Sequence, residues 1–251
     1  MSAGESALRI SVVVPSWHDS ENLAGLLPVL SRLSAVCETI VVDASDDSVS
    51  EQIALDSGAT FLKCAAPNRG GQMNAGAALA AGDVLLFQHA DTEITESHAR
   101  ALQLALRDSA IIGGAFYRKF DDRHPWLKCF ESFARFLTRH GGTLYGDQSV
   151  FVRRDVFLQM RGFAEIPLME DIEFSRRLRA MGKIIVLDPP VCTSPRRHTR
   201  KGAWRTSIQN GLFIVFYKAG VSPVRLHRWY YRDRCAPRVE QPAVTAPTGS
   251  G

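Results

Sequence analysis

The chain has 251 residues, of which 45% are hydrophobic and 22% charged, and its net charge is +4. That composition is enough for one large domain with a full core, and it excludes wholesale disorder. The charge is uneven: residues 196–234 hold ten Lys/Arg against one acid, Asp233, a balance of +9 that leaves the remainder near −5.

Residues 10–14 are an apolar, largely β-branched run that stops at Pro15, the pattern of a buried parallel strand. A helix is expected next, with Ser20 as its cap and Leu23, Leu26, Leu27 and Leu30 at helical spacing; Pro28 should kink it. Residues 39–42 predict a second strand ending at Asp43, and 51–57 a short helix closed by Gly58. A third strand follows at 59–64, then an Ala-rich helix over 71–81 that Gly82 should stop. Residues 83–88 form a fourth strand running into His89-Ala90-Asp91, and 95–107 are again helical. This alternation of strand and helix predicts a parallel sheet with right-handed crossovers, which binds ligands beyond the carboxyl ends of its strands.

The second half reads as mixed. Strands are expected at 111–120, 148–152 and 183–187, and helices at 125–138, 170–181 and around 203–218. Residues 235–251 are rich in Pro, Ala, Thr and Gly without periodicity and predict a disordered tail. The cysteines Cys37, Cys64, Cys129, Cys192 and Cys235 are widely spaced with no C-x-x-C pair. They argue for buried, reduced thiols in a cytoplasmic protein rather than a disulfide framework or zinc cluster. Residues 1–9 carry no signal-peptide pattern. The apolar run 211–217 is short of the roughly 20 residues that a membrane span needs.

Several stretches carry chemistry. Asp91 ends a buried strand, so it is either a turn or cap residue or a ligand for a divalent cation such as Mg²⁺ or Mn²⁺, which prefers carboxylate oxygen and shares substrate phosphates. His89 lies two residues earlier, on the same side of an extended chain, suited to the same metal or to a phosphate. The stretch Asn68-Arg69-Gly70-Gly71-Gln72-Met73-Asn74 leads into a helix N-terminus, where free amides and Arg69 suit phosphate, against the plainer reading of a flexible loop. Gly146-Asp147-Gln148 is an ordinary turn or a point of close substrate approach. Glu170 and Asp171 at a helix start either complement the helix dipole or supply a general base. Arg196, Arg197, Arg200, Lys201 and Arg205 surround His198, either as a solvated basic face or as a loop closing over a pyrophosphate, with His198 as a further metal ligand.

Taken together and in order, these motifs resemble the family 2 glycosyltransferases over roughly residues 9–231. The set is Val12–Pro15 with Glu21-Asn22, Val41–Asp43 with Ser45, Asn68-Arg69-Gly70, Asn74-Ala75-Gly76, His89-Ala90-Asp91, and Glu170-Asp171. Gly71–Gly76, Phe87–Thr92 and Gly146–Gln148 look most like a small subgroup associated with arsenosugar biosynthesis or with radical-SAM and selenodomain proteins. The resemblance implies a single-domain α/β GT-A fold, a Rossmann-like, mostly parallel central sheet flanked by helices. A nucleotide-binding half would span about 9–118 and an acceptor half about 119–234. It implies a nucleotide-sugar donor, a divalent cation, and a small-molecule or lipid-linked hydroxyl acceptor. By it, Pro15 and Asp43, with Ser45, lie at the nucleoside; Arg69, Gln72, Asn74, His89, Asp147, Arg197 and Lys201 lie around the donor. Asp91 and His198 hold the metal, and Asp171, beside Glu170, is the base of an inverting transfer. His89 stands where relatives carry the first acid of a D-x-D signature, and Asp46 or Asp47 replaces a second acid after strand two.

A nucleotidyltransferase would carry a Gly-rich, Lys-containing loop after the first strand, where this chain has Pro15-Ser-Trp-His-Asp-Ser20. A third reading is a non-catalytic relative that docks on membranes or partners through its basic, aromatic C-terminal segment, a peripheral contact that is also compatible with catalysis. No nucleic-acid module signature appears, so nucleic acid is not an expected partner.

Overall fold

The computed structural model describes residues 8–46, 48–120, 142–193 and 203–232. The expected helix at 125–138, the tail, and the positions Arg197, His198 and Lys201 lie outside them. The chain order is β1 (Ile10–Ser16), α1 (Ser20–Leu30), β2 (Val36–Asp43), α2 (Val49–Asp56), β3 (Thr60–Lys63), α3 (Arg69–Leu79), β4 (Val84–Phe87), β5 (Thr92–Glu93), α4 (Glu96–Ala105) and β6 (Ile111–Phe120). After a 3₁₀ turn at Gly146–Gln148 come β7 (Val150–Arg153), α5 (Arg154–Gln159), α6 (Glu170–Met181), β8 (Lys183–Thr193), α7 (Ala203–Lys218) and α8 (Pro223–Arg232).

All eight strands join one sheet in the order β3-β2-β1-β4-β7-β6-β8-β5. Pairs β2–β3, β1–β2, β1–β4 and β6–β8 are parallel, whereas β4–β7, β6–β7 and β5–β8 are antiparallel. The strands of the first half are as expected, each β-branched run being covered on both faces. Val12 and Val14 enter one core with Leu23, Leu27 and Leu30 of α1 and Leu102 of α4. Val13, between them, enters the opposite core with Met73 of α3, Phe157 of α5 and Phe174 of α6. The period of two along β1 thus divides the molecule into three layers, helices on either side of one sheet.

Some boundaries differ from expectation, each for a local reason. Ser20 is the first residue of α1, and Asp19 occupies the cap position without a side-chain cap bond. Pro28 sits inside α1. The chain leaves α3 at Ala80, whose backbone is already extended, before Gly82 is reached. Cys37 is exposed and Cys64 and Cys192 are half-buried, so the described cysteines form no disulfide with one another and are not the buried core thiols expected.

Candidate active site

The carboxyl ends of β1 and β2 are bound together by side chains. Asp43 is fully buried at the end of β2. Its Oδ2 accepts the Ser45 N–H at 2.9 Å and its Oδ1 accepts the Ser45 hydroxyl at 2.8 Å. Ser45 Oγ also accepts the His18 N–H at 2.7 Å, which ties the loop after β1 to the loop after β2. Lys63, in register with Asp43 on β3, stands 3.7 Å from the carboxylate and donates to the Ser45 carbonyl. Gln72 of α3 donates to the carbonyls of both Ser16 and Val42 at 2.8 Å. Asp43 and Gln72 thus hold the ends of the two strands together, with Asp43 enclosed by these partners. Pro15, half-exposed and level with Val42, remains at the rim.

α3 begins at Asn68, whose side chain accepts the Gly71 N–H at 2.9 Å, an orthodox N-cap. The positive end of that helix and Arg69 are thereby aimed together. Asn74, one turn on, is engaged differently from expectation: its amide donates to the Phe163 carbonyl at 2.9 Å and accepts the Phe163 N–H at 2.8 Å. It pins the loop before α6 onto α3.

One pocket is lined by Arg69, His89, Gly146, Glu170 and Asp171, floored by Phe87, Phe163 and Phe174. These residues come from α3, the end of β4, the 3₁₀ turn and α6, so distant parts of the chain converge as the motif order implied. The Gly146 N–H donates to Asp171 Oδ2 at 3.0 Å, and Asp171 Oδ1 accepts the Ile172 N–H at 2.8 Å. A Cβ at Gly146 would lie 3.0 Å from His89 Nε2 and 3.7 Å from Asp171 Oδ2. The imidazole would have to give by a few tenths of an ångström, whereas the carboxylate distance is an ordinary contact. Glu170 is buried, with Arg69 3.8 Å from its Oε1. Burial raises its pKa, the Asp171 charge raises it further, and Arg69 opposes both. Met169, just before the pair, adopts φ 71°, a left-handed conformation that non-glycine residues rarely occupy. Asp147 is ion-paired with Arg118 of β6, and its Oδ1 is buried without a hydrogen-bond partner.

Asp91 is half-exposed beyond β4, in a turn closed by the Thr92 N–H donating to the His89 carbonyl at 3.2 Å. Among the described residues, no group of three or more His, Cys, Asp or Glu could hold a metal. One carboxylate oxygen at a strand end fits Mg²⁺ or Mn²⁺ shared with substrate phosphates, and does not fit a cation caged by protein alone. His89 points its Nε2 toward Gly146, on the Asp171 side of the site.

Three contributors went unread in the sequence. Lys63 is brought opposite Asp43 by the β2–β3 register, which no local pattern gives. Arg118 stands with Lys119 near the end of a strand that is otherwise largely apolar. Ser175, whose hydroxyl accepts the Leu144 N–H at 2.8 Å and fixes the approach to the 3₁₀ turn, left no signal of its own.

Comparisons with known proteins place the family and the fold. The family profile for Glycosyl transferase family 2 matches residues 11–161. A 4,4'-diaponeurosporenoate glycosyltransferase of Staphylococcus haemolyticus is 33% identical over 103 residues, 38% of this chain; the match spans only 28% of that relative's length. S. aureus TarS 1–349 in complex with UDP-GlcNAc superposes with a TM-score of 0.60 at 17% identity, covering 74% of this chain and 58% of that one. Glucosyl-3-phosphoglycerate synthase of Mycobacterium tuberculosis, in complex with Mn²⁺, UDP and glucosyl-3-phosphoglycerate, gives 0.56 at 18% identity, covering 77% and 78%. The two structural likenesses are likenesses of fold, a GT-A sheet with its helices. With a profile match over residues 11–161, more than half its length, which takes in Arg69, His89 and Gly146 and ends before Glu170 and Asp171, the chain belongs to glycosyl transferase family 2.

Proposed function

We propose that this protein is an inverting glycosyltransferase that moves a sugar from a nucleoside-diphosphate donor to a hydroxyl acceptor, with Asp171 as general base. The observation that carries the reading is the pocket in which Arg69, His89, Glu170 and Asp171 meet beyond the carboxyl ends of the parallel strands. The acceptor hydroxyl attacks the anomeric carbon from the face opposite the leaving group. The bond from that carbon to the diphosphate oxygen breaks, and its electron pair leaves with the diphosphate. Asp171 takes the hydroxyl proton. The Gly146 N–H fixes the orientation of its carboxylate while lone pairs remain for the proton. Glu170 is buried beside Asp171, its pKa raised by burial and by the Asp171 charge, and Arg69 stands against its carboxylate. Arg69 and the α3 N-terminus face the charge that builds on the leaving group. A divalent cation held by Asp91 would neutralise part of that charge.

Uridine is the base we put first, because TarS and the mycobacterial synthase, which share the fold, are seen with UDP-GlcNAc and UDP. The acceptor is a small-molecule or lipid-linked hydroxyl, and the likeness of Gly71–Gly76 and Phe87–Thr92 to the arsenosugar-associated subgroup supports a small, unusual one.

The test uses a thermal-shift panel of nucleoside diphosphates and nucleotide-sugars with and without Mn²⁺, followed by turnover of whichever donor binds. UDP or a UDP-sugar should raise the melting temperature. Asp171→Asn should lower turnover by at least about 10²–10⁴-fold while keeping that shift. Unchanged turnover in Asp171→Asn overturns the base assignment, and no shift with any member of the panel overturns the donor reading.

A further inference from the structure

The C-terminal helices α7 and α8 carry a surface that sugar transfer does not use. On α7, Leu212, Val215 and Phe216 recur at i, i+3 and i+4, the spacing of one helical stripe. Such a stripe ordinarily faces a core, yet here Leu212 is 51% exposed, Val215 60% and Phe216 39%. The opposite flank is occupied: Phe213 is buried and packs edge-on against Tyr230 of α8, with ring centroids 5.6 Å apart. Phe216 meets Trp229 at 6.1 Å, which joins the α7 stripe to the outer face of α8. That outer face carries Val224, Arg225, Arg228 and Trp229, all exposed, while Leu226 is buried on the inner side. The result is one continuous apolar and aromatic strip edged by Lys218, Arg225 and Arg228.

Two occupants of such a strip differ in charge. Residues 203–232 hold five Lys/Arg and no acidic residue. A second copy of this surface would set like charges against like, whereas a sheet of lipid phosphates is complementary. Exposed aromatic and aliphatic side chains beside arginines are also the pattern of a helix lying in a bilayer interface. No helix among the described residues is long and apolar enough to cross a membrane, so the hairpin would lie on the surface rather than span it.

We propose that the α7–α8 hairpin docks the protein on an anionic lipid bilayer, with Leu212, Val215, Phe216 and Trp229 entering the interface and Lys218, Arg225 and Arg228 meeting the headgroup phosphates.

The experiment is co-sedimentation of the full chain with phosphatidylcholine vesicles, with and without about 30% phosphatidylserine. The protein should sediment with the anionic vesicles and stay in solution with phosphatidylcholine alone. Raising the salt from about 0.1 to about 1 M shortens the screening length from about 10 to about 3 Å and should release most of it. A V215E/F216E/W229E variant, with its melting temperature checked against wild type, should lose at least about tenfold in the bound-to-free ratio, because three exposed apolar contacts are replaced by charge facing anionic headgroups. Wild type that ignores anionic vesicles overturns the proposal, as does a folded triple variant that still binds. A concentration-dependent dimer that the triple variant dissolves, without vesicle binding, would assign the strip to self-association instead. Vesicle binding needs no donor, so its failure leaves the UDP-induced shift intact and is separable from failure of the transferase reading.

Discussion

Glu170 and Asp171 are adjacent in sequence, but the start of α6 turns them into different surroundings. Asp171 looks into the pocket and accepts two backbone N–H groups, whereas Glu170 is buried with Arg69 at 3.8 Å, a partner that is itself 41% exposed. Because burial raises the Glu170 pKa, the folded state binds that proton more tightly than the unfolded chain does. The contribution to stability is then fullest below the ordinary glutamate range and is lost as pH rises through the raised value. Glu170→Gln should remove that loss. Thermal melts from about pH 4 to about pH 8 should fall less steeply for the variant than for wild type, with about 2–4 °C per kcal/mol for a chain of this size. Equal slopes would mean that Arg69 already offsets the burial. At this scale the sequence was legible where a strand or helix end delivers a polar residue: Asp43, His89, Asp91 and Asp171 all stand at such ends. It was not legible which partners each would take within the fold. Asp43 and Gln72 are engaged by Ser45, Lys63 and the carbonyls of two strand ends, and those partners are set by strand register rather than by any local pattern.

Elements were readable in proportion to their length and periodicity. β4 is wholly apolar, β1 and β2 carry the apolar runs Val12–Val14 and Ile40–Val42, and α6 places buried Phe174 and Leu178 four residues apart on one face. β5, with two residues, and α5, with six, are too short to show a period. The antiparallel setting of β7 is a tertiary fact, since Val150–Arg153 reads the same in either direction. The same limit hid the task of Asn74, which joins α3 to the loop before α6 by a pair of amide bonds to Phe163. Asn74→Ala leaves both Phe163 backbone groups without these partners and should destabilise by about 2–3 kcal/mol, with the urea midpoint lowered and the slope unchanged. Arg177 is the competing clasp on that loop, donating to the Met160 carbonyl at 2.6 Å and the Gly162 carbonyl at 2.7 Å. An effect below about 0.5 kcal/mol would transfer the task to it.

Across the whole molecule the pocket straddles a seam. Arg69 and His89 come from the β1–β4 half, while Gly146, Glu170 and Asp171 come from the half built on β6, β7 and β8. The two are joined in the sheet by β7, which pairs with β4 on one edge and β6 on the other. Gly114 lies where β6 is held between β7 and β8, level with Phe151 on one side and Ile185 on the other. A methyl group there would collide with the Ile185 carbonyl oxygen and the Phe151 ring, and backbone cannot give way as a flexible side chain can. Gly114→Ala should therefore cost at least the upper end of the about 1–3 kcal/mol typical of overpacking, about 6–12 °C in melting temperature. Because Phe151 belongs to the same core as Val12, Leu86 and Phe116, the strain should reach both halves. A calorimetric scan should show one transition moved down as a unit, and amide exchange should speed up in β1 and β4 as well as in β6 and β8. Two separated transitions would mean that the halves unfold independently, and the site would then be assembled at a hinge instead of being held across a continuous sheet.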